Sequence, residues 1–382
     1  MRRSFKYRLY PADKQASAAQ EQVNVARELY NACLEERREA YKMAGKSLTY
    51  YDQANQLKEI RLLRPDVAAV NYSMLQATCR RAHHSFENFY RRRKAGLTGG
   101  FPRYKGYHRF DSITFPSYRD GCKLVGNHLT LQGIGSLKVK LHRPVEGAIK
   151  TVTVKREGLT WFVIFSCEVE AAPLEQTGCS VGIDVGLTAF LTTDTGETVT
   201  NPRPLKNALR RLRLAQRSFA RKKRANKNKK TGCQGVRRAK AGRLVASVHR
   251  KVANTRTDFH HKIAYTLVQR NDTIMHEALQ VANMVKNHGL ARSIHDAAWG
   301  SFIAIVTAKA EGAGRSVIAV NPRGTSQMCP CGASVPKTLS DHWHDCPSCG
   351  LSLPRDQVSA MLIRRLGQSR QASTQRGAAY VA

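Results

Sequence analysis

Cys329-x-Cys331 and Cys346-x-x-Cys349 bracket a fourteen-residue loop just ahead of LPRDQVSA, and two close cysteine pairs leave a chain few ways to fold between them. Four thiolates so placed complete a tetrahedral zinc site and close residues 326–352 into a small ribbon. The first pair is C-x-C where a ribbon usually has C-x-x-C, which tightens the first turn. The competing reading, a disulfide pair or ordinary buried thiols, calls for an oxidising compartment. MRRSFKYRLYP is basic and then alternating, without an apolar run or a small-residue cleavage site, so it reads as a strand and a cytosolic setting is expected. Cys33, Cys79, Cys122, Cys167, Cys179 and Cys233 are scattered singly and read as small buried hydrophobes. No apolar run reaches the length of a membrane span.

Sixty-three Lys and Arg stand against 28 Asp and Glu, a formal charge of +35. A polyanion offsets self-repulsion of that size most readily, so nucleic acid is the leading partner. An anionic membrane surface is the rival, but no amphipathic anchor or lipidation signal accompanies the basic stretches. From Leu205 to Lys262 twenty Lys and Arg face one acid, Asp258. The densest piece, RKKRANKNKKTGCQGVRRAK, supplies Arg221, Lys222, Lys223, Arg224, Arg237 and Arg238 as phosphate-binding candidates. Leu205, Leu209, Leu212 and Phe219 before the run, and Leu244, Val248 and Val252 after it, follow the helical period. Asn226, Asn228, Gly232 and Gly235 mark a turn between them. A merely solvated face would interleave acids, which are missing here.

At 382 residues and 42% apolar content the chain supports two or three domains with cores of their own. Pro11 and Asp13 open a helix that ends at Gly45, with Val25, Leu29, Cys33 or Leu34, and Tyr41 on its apolar face. A second stretch after Tyr51 carries Ala54, Leu57, Ile60 and Leu63 up to Pro65. A third runs from Val67 to Lys94 with Leu75, Cys79, Ala82, Phe86 and Phe89 on one side. GLTGGFPRYKG, residues 96–106, forbids helix and interleaves aromatics with cations, Arg103 and Lys105 among them, as a linker or a nucleic-acid-contacting loop does. SITF, HLTLQ, SLKVKL, IKTVTVKR and TWFVIFSCEVE then read as strands of a small β-barrel or sandwich, the last two joined at Glu157 and Gly158. MRRSFKYRLYP can add a strand to it, which makes the helical module an insertion into the β-domain.

SVGIDVGLTAFLTTDTGETVTN sets Asp184 in the middle of a predicted central strand, and Asp194 to Gly196 turn the chain into the next. A lone acid in such a strand is costly unless paired or bound to a metal. NDTIMHEALQ reads as a strand ending at Glu277, and Asp356 lies at the edge of the helix QVSAMLIRRLG. Singly, each is more often a cap or a surface carboxylate. Separated by about eighty to ninety residues, the three converge only if the fold brings them together.

VGIDVGL, IMHEAL followed by NMVKNHGLARSIHDAAWGSF, NPRGTSQMCPCG, DCPSCG and PRDQVSA, in this order, resemble TnpB, the RNA-guided nuclease encoded by bacterial insertion sequences. RLYP, LTY at 48–50 and GFPRYKG extend the resemblance over nearly the whole chain. The most specific combination is TSQ ahead of a cysteine knuckle that sits just before RD. The resemblance implies an α+β multidomain fold related to type V CRISPR effectors. Its parts would be a wedge β-barrel at 1–11 and 97–173, an inserted helical recognition lobe at 12–96, and a RuvC/RNase H-like nuclease domain at 174–382 with the zinc-ribbon insertion at 326–352.

By the same resemblance Asp184, Glu277 and Asp356 are the catalytic carboxylates. They would hold two Mg²⁺ ions about 4 Å apart, which activate a water and stabilise the leaving 3′-oxygen of a DNA phosphodiester. Carboxylates suit magnesium, and the four thiolates suit one structural zinc. A guide RNA from the element's end would select double-stranded target DNA beside a short adjacent motif. The Leu205–Lys262 cations and the GFPRYKG loop would hold RNA or heteroduplex phosphates. Tyr50, Gln76 and Thr114 lie in stretches resembling those that touch the target-adjacent duplex, and Gln can pair bidentately with adenine. Such a protein is expected in the cytoplasm, at the nucleoid when bound to DNA, and in an oligomeric state the sequence leaves open.

Where that family reads DRDxNAA, this chain has Pro354, Arg355, Asp356, Gln357, Val358, Ser359 and Ala360. An acid missing at 354 and an amide missing at 358 alter the support around Asp356. All three acids remain, so an active enzyme is expected. Two other readings stand beside it: an RNA-guided DNA-binding repressor with degenerate chemistry on the same scaffold, and a transposase that joins strands through an RNase H-like core without RNA.

Overall fold

A computed structural model describes residues 1–107, 109–225, 236–338 and 341–379, and for residues 223–225, 236 and 372–379 the backbone alone. The turn expected at Asn226, Asn228, Gly232 and Gly235, Cys233, and the side chains of Lys223 and Arg224 lie outside the described residues. The chain divides into two compact units, Met1–Glu170 and Ala171–Ala382.

In the first unit β1 (Arg2–Tyr10) alternates strictly, turning Phe5, Tyr7 and Leu9 inward and Lys6 and Arg8 outward. Five helices follow: α1 (Asp13–Ala44), α2 (Tyr50–Asn55), α3 (Leu57–Leu63), α4 (Pro65–Ala68) and α5 (Tyr72–Lys94). Six strands complete the unit: β2 (Ser112–Phe115), β3 (Cys122–Val125), β4 (His128–Leu131), β5 (Gly135–Lys140), β6 (Ala148–Glu157) and β7 (Thr160–Glu168). They form one antiparallel sheet ordered β2-β6-β7-β1-β5-β4-β3, so the strand that precedes the helices sits between β7 and β5.

Helix α1 stops where expected, at Gly45, whose left-handed φ of 61° lets its N–H reach the carbonyls of Ala40 and Tyr41. It buries nothing after Arg37, however, and Tyr41, expected on the apolar face, is exposed. Leu63 is likewise exposed, because α3 turns Leu57 and, partly buried, Ile60 to the core and its last residues away from it. The single helix expected from Val67 is two: α4 ends at Ala68, and α5 restarts behind Asn71, whose side chain accepts the Met74 N–H at 3.0 Å. Cys33, Cys79, Cys122 and Cys167 are buried as expected, whereas Cys179 of the second unit is exposed in the connector before the first buried strand.

The second unit is built on β8 (Ser180–Asp184), β9 (Ala189–Thr193), β10 (Thr198–Thr200), β11 (Thr273–Glu277) and β12 (Ser316–Val320), in the order β10-β9-β8-β11-β12. β11 runs parallel to both β8 and β12, and the β9–β10 hairpin is antiparallel. Helices α6 (Pro204–Ala225) and α7 (Val236–Arg270) come between β10 and β11. α8 (Val281–Met284), α9 (His288–Ala297) and α10 (Trp299–Gly312) lead to β12. A small hairpin, β13 (Trp343–Asp345) with β14 (Ser352–Pro354), then feeds α11 (Arg355–Ala379).

α11 crosses the sheet at glycines. A Cβ on Gly182 of β8 would stand 2.1 Å from the Ala360 carbonyl oxygen and 2.8 Å from the Arg364 backbone nitrogen. Farther along, a Cβ on Gly367 would meet the Met275 side chain of β11 at 2.5 Å. Between these crossings Arg364 donates to the buried Asp194 carboxylate at 2.7 Å and to Ser180 Oγ at 3.2 Å. Asp194 in turn accepts the Gly182 N–H at 3.1 Å and returns its own N–H to the Gly182 carbonyl. Replacing Gly182 with alanine forces backbone apart from backbone. Gly182→Ala is therefore expected to cost about 3 kcal/mol and to lower the thermal midpoint of the second unit by several degrees in calorimetry. An unchanged midpoint would show that helix and strand are not in register at this point.

Candidate active site and metal centre

Asp184 is the last residue of β8, not its middle, because the chain leaves the strand at Val185 and closes a turn in which the Gly186 N–H donates to the Phe190 carbonyl. Parallel pairing of β8 with β11 sets Ile183 beside His276. Asp184 and Glu277, one position on in each strand, thus share the carboxyl end of two neighbouring strands. Asp356 occupies the first turn of α11, one turn before Ala360, and the Gly182 crossing holds that turn against the same end of β8.

Asp184 senses the other two acids. Burial first, and then the charges of Glu277 and Asp356, push the Asp184 carboxyl up to about 8, with Arg355 opposing. Burial also raises Glu277, partly offset by a hydrogen bond from the Thr325 hydroxyl. Arg355 lies 3.2 Å from the Asp356 carboxylate. A half-buried carboxylate flanked by two more is the electrostatic setting that a divalent cation relieves, and the donor set is all oxygen, as magnesium prefers. Among the described residues only the cysteine cluster has its ligand atoms all within 4.8 Å, so the carboxylates stand more widely spaced than a single-ion cage. Beside Glu277, at the ends of β11 and β12, opens a cleft of roughly 790 Å³ lined in part by Gln280, Asn283, Asn321 and Arg370.

Cys329, Cys331, Cys346 and Cys349 converge. Cys329 and Cys349 sulfurs are 3.6 Å apart, and Cys331 and Cys346 sulfurs 3.7 Å. Four sulfurs tetrahedrally placed about 2.3 Å from one ion stand about 3.8 Å apart, so this donor set fits zinc. Gly332 and Gly350, both at positive φ, end the two cysteine turns, where a side chain would strain the backbone. Burial pushes the Cys329 thiol up to about 12, and a bound cation would displace that proton. The knuckle is tied to the start of α11: the Arg355 N–H donates to the His342 carbonyl at 2.9 Å, and its guanidinium to the Asp341 carbonyl at 2.9 Å.

The other expected contacts fall elsewhere. Tyr50, Gln76 and Thr114 lie in the first unit on α2, α5 and β2, and both α2 and β2 pack against α5. The Arg80 guanidinium lies 4.7 Å over the Tyr50 ring, Gln76 is half-buried, and the Thr114 hydroxyl is hydrogen-bonded to Thr153 at 3.0 Å. Arg103 is exposed, whereas Lys105 exchanges two backbone hydrogen bonds with the Asn31 side chain. In the second unit Arg221 and Arg237 are exposed, Lys222 reaches Ser218 Oγ at 3.3 Å, and Arg238 stacks over Phe219 at 5.3 Å. Sequence reasoning missed Thr325 and the Asp194–Arg364 pair. The TSQ motif was in view, but nothing in its spacing tells which acid its threonine meets.

Two outcomes follow. Asp184 has its folded-state pKa raised, so folding loses stability as pH rises from about 4 to about 8, while the unfolded chain alone gives up its proton. In chelator, Asp184→Asn is expected to melt higher than the parent protein by a margin that widens from pH 5 to pH 8. Adding Mg²⁺ should close the gap by stabilising the parent alone. A constant margin would mean that the carboxylate is not desolvated. For the knuckle, elemental analysis should find one zinc per chain, lost in Cys329→Ser together with a lower melting point; a chain free of zinc would return these cysteines to ordinary thiols.

Comparison with known proteins agrees with this geometry. Residues 164–288 match a family model described as "Probable transposase", residues 299–363 a "Cas12f1-like, TNB domain", and residues 1–46 a "Helix-turn-helix domain". The last description differs from the structure, where those residues form one strand and one continuous helix. A "Putative RNA-guided DNA endonuclease" of Streptomyces pristinaespiralis is 34% identical over 84% of this chain and 78% of its own length. A "Putative RNA-guided DNA endonuclease InsQ" of Escherichia coli K12 is 25% identical over 85% and 82%. The Cas12f1 chain of a Cas12f1–sgRNA–target DNA complex superposes with a TM-score of 0.58 at 13% identity, covering 95% of this chain and 98% of that one. That likeness of fold, the Cas12f1-like TNB match and the four-cysteine cluster together give a RuvC-like fold with a zinc ribbon, and a relative of 34% identity over 84% of the chain shows that the chain belongs to the TnpB family.

Proposed function

We propose that this chain is an RNA-guided DNA endonuclease of an insertion element, and the observation that carries the chemistry is the meeting of Asp184, Glu277 and Asp356 at one sheet end. Asp184 and Glu277 project from adjacent strands and Asp356 from the helix locked across them, so the three supply oxygen ligands from one rigid frame. Two Mg²⁺ ions bound there would supply an activated water and a charge for the leaving 3′-oxygen. Thr325 fixes the Glu277 carboxylate by donating to it, and Arg355 does the same for Asp356. Burial keeps Asp184 protonated near neutral pH until a cation takes the place of its proton.

The cysteine knuckle, loaded with one zinc, would serve structure, since it anchors Arg355 and hence the start of the catalytic helix. The departures at 354 and 358 are absorbed by packing: Pro354 pairs with Trp343 in the β13–β14 hairpin, and Val358 is fully buried. Neither removes one of the three carboxylates Asp184, Glu277 and Asp356, which argues against the repressor. The +35 charge and the acid-poor α6 and α7 support a polyanionic partner: a guide RNA from the element's end, and target double-stranded DNA chosen beside a short motif. Arg103, Lys105, Arg221, Lys222, Lys223, Arg224, Arg237 and Arg238 are the phosphate candidates, and Tyr50, Gln76 and Thr114 the candidates for the adjacent motif. No helix among the described residues is long and apolar enough to cross a membrane, and the protein would act in the cytoplasm, at the nucleoid when on DNA. The description "Probable transposase" for residues 164–288 keeps RNA-independent strand joining as the second reading.

Expression with the native downstream DNA should copurify one structured RNA with a defined boundary and a variable guide end. Heterogeneous cellular RNA, with specific binding to element ends, would favour the transposase. Reconstituted with that RNA and matching DNA, Asp184→Ala is expected to lose at least about a thousandfold in cleavage rate while keeping its RNA. Cleavage that survives the change would remove Asp184 from the chemistry.

A further inference from the structure

The second unit holds a cleft the chemistry above does not use. It lies at the root of the α6–α7 pair, where the chain leaves β10, and measures roughly 570 Å³, within the range of sites for small organic groups. Its floor is apolar: Pro202, Pro204 and Ala208 from the α6 side, and Val248 and Val252 from α7, the two valines being 4% and 7% exposed. Arg211 and Lys251 stand at its rim on long exposed side chains. Among the described residues neither cation has an ion-pair partner, and no carboxylate lines the cleft.

Neighbouring acids do not cancel this field. Asp296 is committed to the first amides of α6, accepting from Leu205 at 2.9 Å and Lys206 at 3.0 Å, and to Arg256. The helix terminus is thereby satisfied, so the pull on an anion comes from the rim cations. Asp258, the one acid of α7, pairs with Lys262 at 2.8 Å. Asn207 donates one side-chain N–H to the Pro202 carbonyl at 3.0 Å, which holds the amide in place and leaves its oxygen to accept a hydrogen bond from a ligand in the cleft.

A ligand that is flat and apolar at one end, carries hydrogen-bond donors, and is anionic at the other is a nucleotide. The base must be unpaired, because a base inside a duplex has both faces covered. Structured RNA offers such bases in loops and bulges with little stacking left to break, and its 2′-hydroxyl is a donor that the Asn207 oxygen can accept. We propose that this cleft holds one unpaired nucleotide of the RNA bound by this protein, its base on the apolar floor and its flanking phosphates on Arg211 and Lys251. No aromatic ring lines the cleft, so the base is held by apolar contact and not by stacking. The inference rests on the RNA-binding reading above and adds a site to it.

The test uses the full-length protein, a short uridine-rich RNA carrying 4-thiouridine, and its deoxy counterpart. Ultraviolet crosslinking followed by mass spectrometry should place the RNA on the segments 202–211 or 247–255. Ala208 is half-exposed, so Ala208→Trp grows into the cleft and not into the core. That variant is expected to lose the crosslink and about tenfold in RNA affinity, with the salt dependence unchanged. The double change Arg211→Ala with Lys251→Ala removes only surface cations, and should lower the slope of log affinity against log salt by about 1.4. Melting curves confirm the fold of both variants; should the tryptophan variant not fold, the double variant and the crosslink decide. Unchanged RNA affinity in Ala208→Trp, or an unchanged salt slope in the double variant, overturns the site. An equal loss for the DNA counterpart also overturns it, by assigning the cleft to DNA. Absence of RNA binding by the parent protein would instead take down the functional reading and the cleft with it.

Discussion

Everything at the candidate active site depends on one close approach of backbone to backbone, that of α11 to β8 at Gly182 and Ala360. A helix ordinarily rests on a sheet through its side chains. Here a glycine in the strand lets the helix carbonyl come down to the sheet itself, and a glycine in the helix, Gly367, makes room for the Met275 side chain of β11. The helix start therefore cannot slide relative to the strand ends. The ion pair of the buried Asp194 with the partly exposed Arg364 fixes the remaining rotation, with Asp194 bonded to both the helix and the Gly182 amide. Three acids whose carboxylates repel one another are held close by packing that none of them provides.

Charge is distributed in two opposite ways in this chain. The strand ends gather carboxylates in a partly dry setting, where the cost of charge shows as the raised Asp184. The two long helices between β10 and β11 carry eighteen Lys and Arg and one acid, in water, where like charges are tolerable because solvent and counterions screen them. Each region is unfavourable alone and complementary to a different ligand, a divalent cation in one case and a phosphate backbone in the other. The cysteine knuckle belongs to neither: soft ligands, small loops and two left-handed glycines make a site that closes on itself.

Much of this was legible from the residues. Alternation marked β1 and the later strands, and cysteine spacing marked the knuckle. The order of motifs, more than any single one, pointed to the three acids. Where the reading erred, a local term outweighed periodicity. Tyr41 and Leu63 continue an apolar pattern past the point where a partner surface exists, and Asn71 caps a new helix in what looks like an unbroken one. Asp184 seemed mid-strand because Val185 to Leu187 prolong the apolar run, while the turn at Gly186 ends it. Thr325 with Glu277, and Asp194 with Arg364, join residues 48 and 170 apart in sequence, and no local pattern signals such pairs.

The place of β1 in its sheet has a consequence for how the chain is made. This strand is made well before the neighbours it pairs with, β5, beginning at Gly135, and β7, beginning at Thr160. Five helices are complete before either can pair with it. For that interval an alternating strand with Phe5, Tyr7 and Leu9 on one face must wait unpaired, and its own exposed cations, Arg2, Arg3, Lys6 and Arg8, are what keep it from joining another chain in the meantime. The positive charge of β1 thus has work to do before any nucleic acid is met.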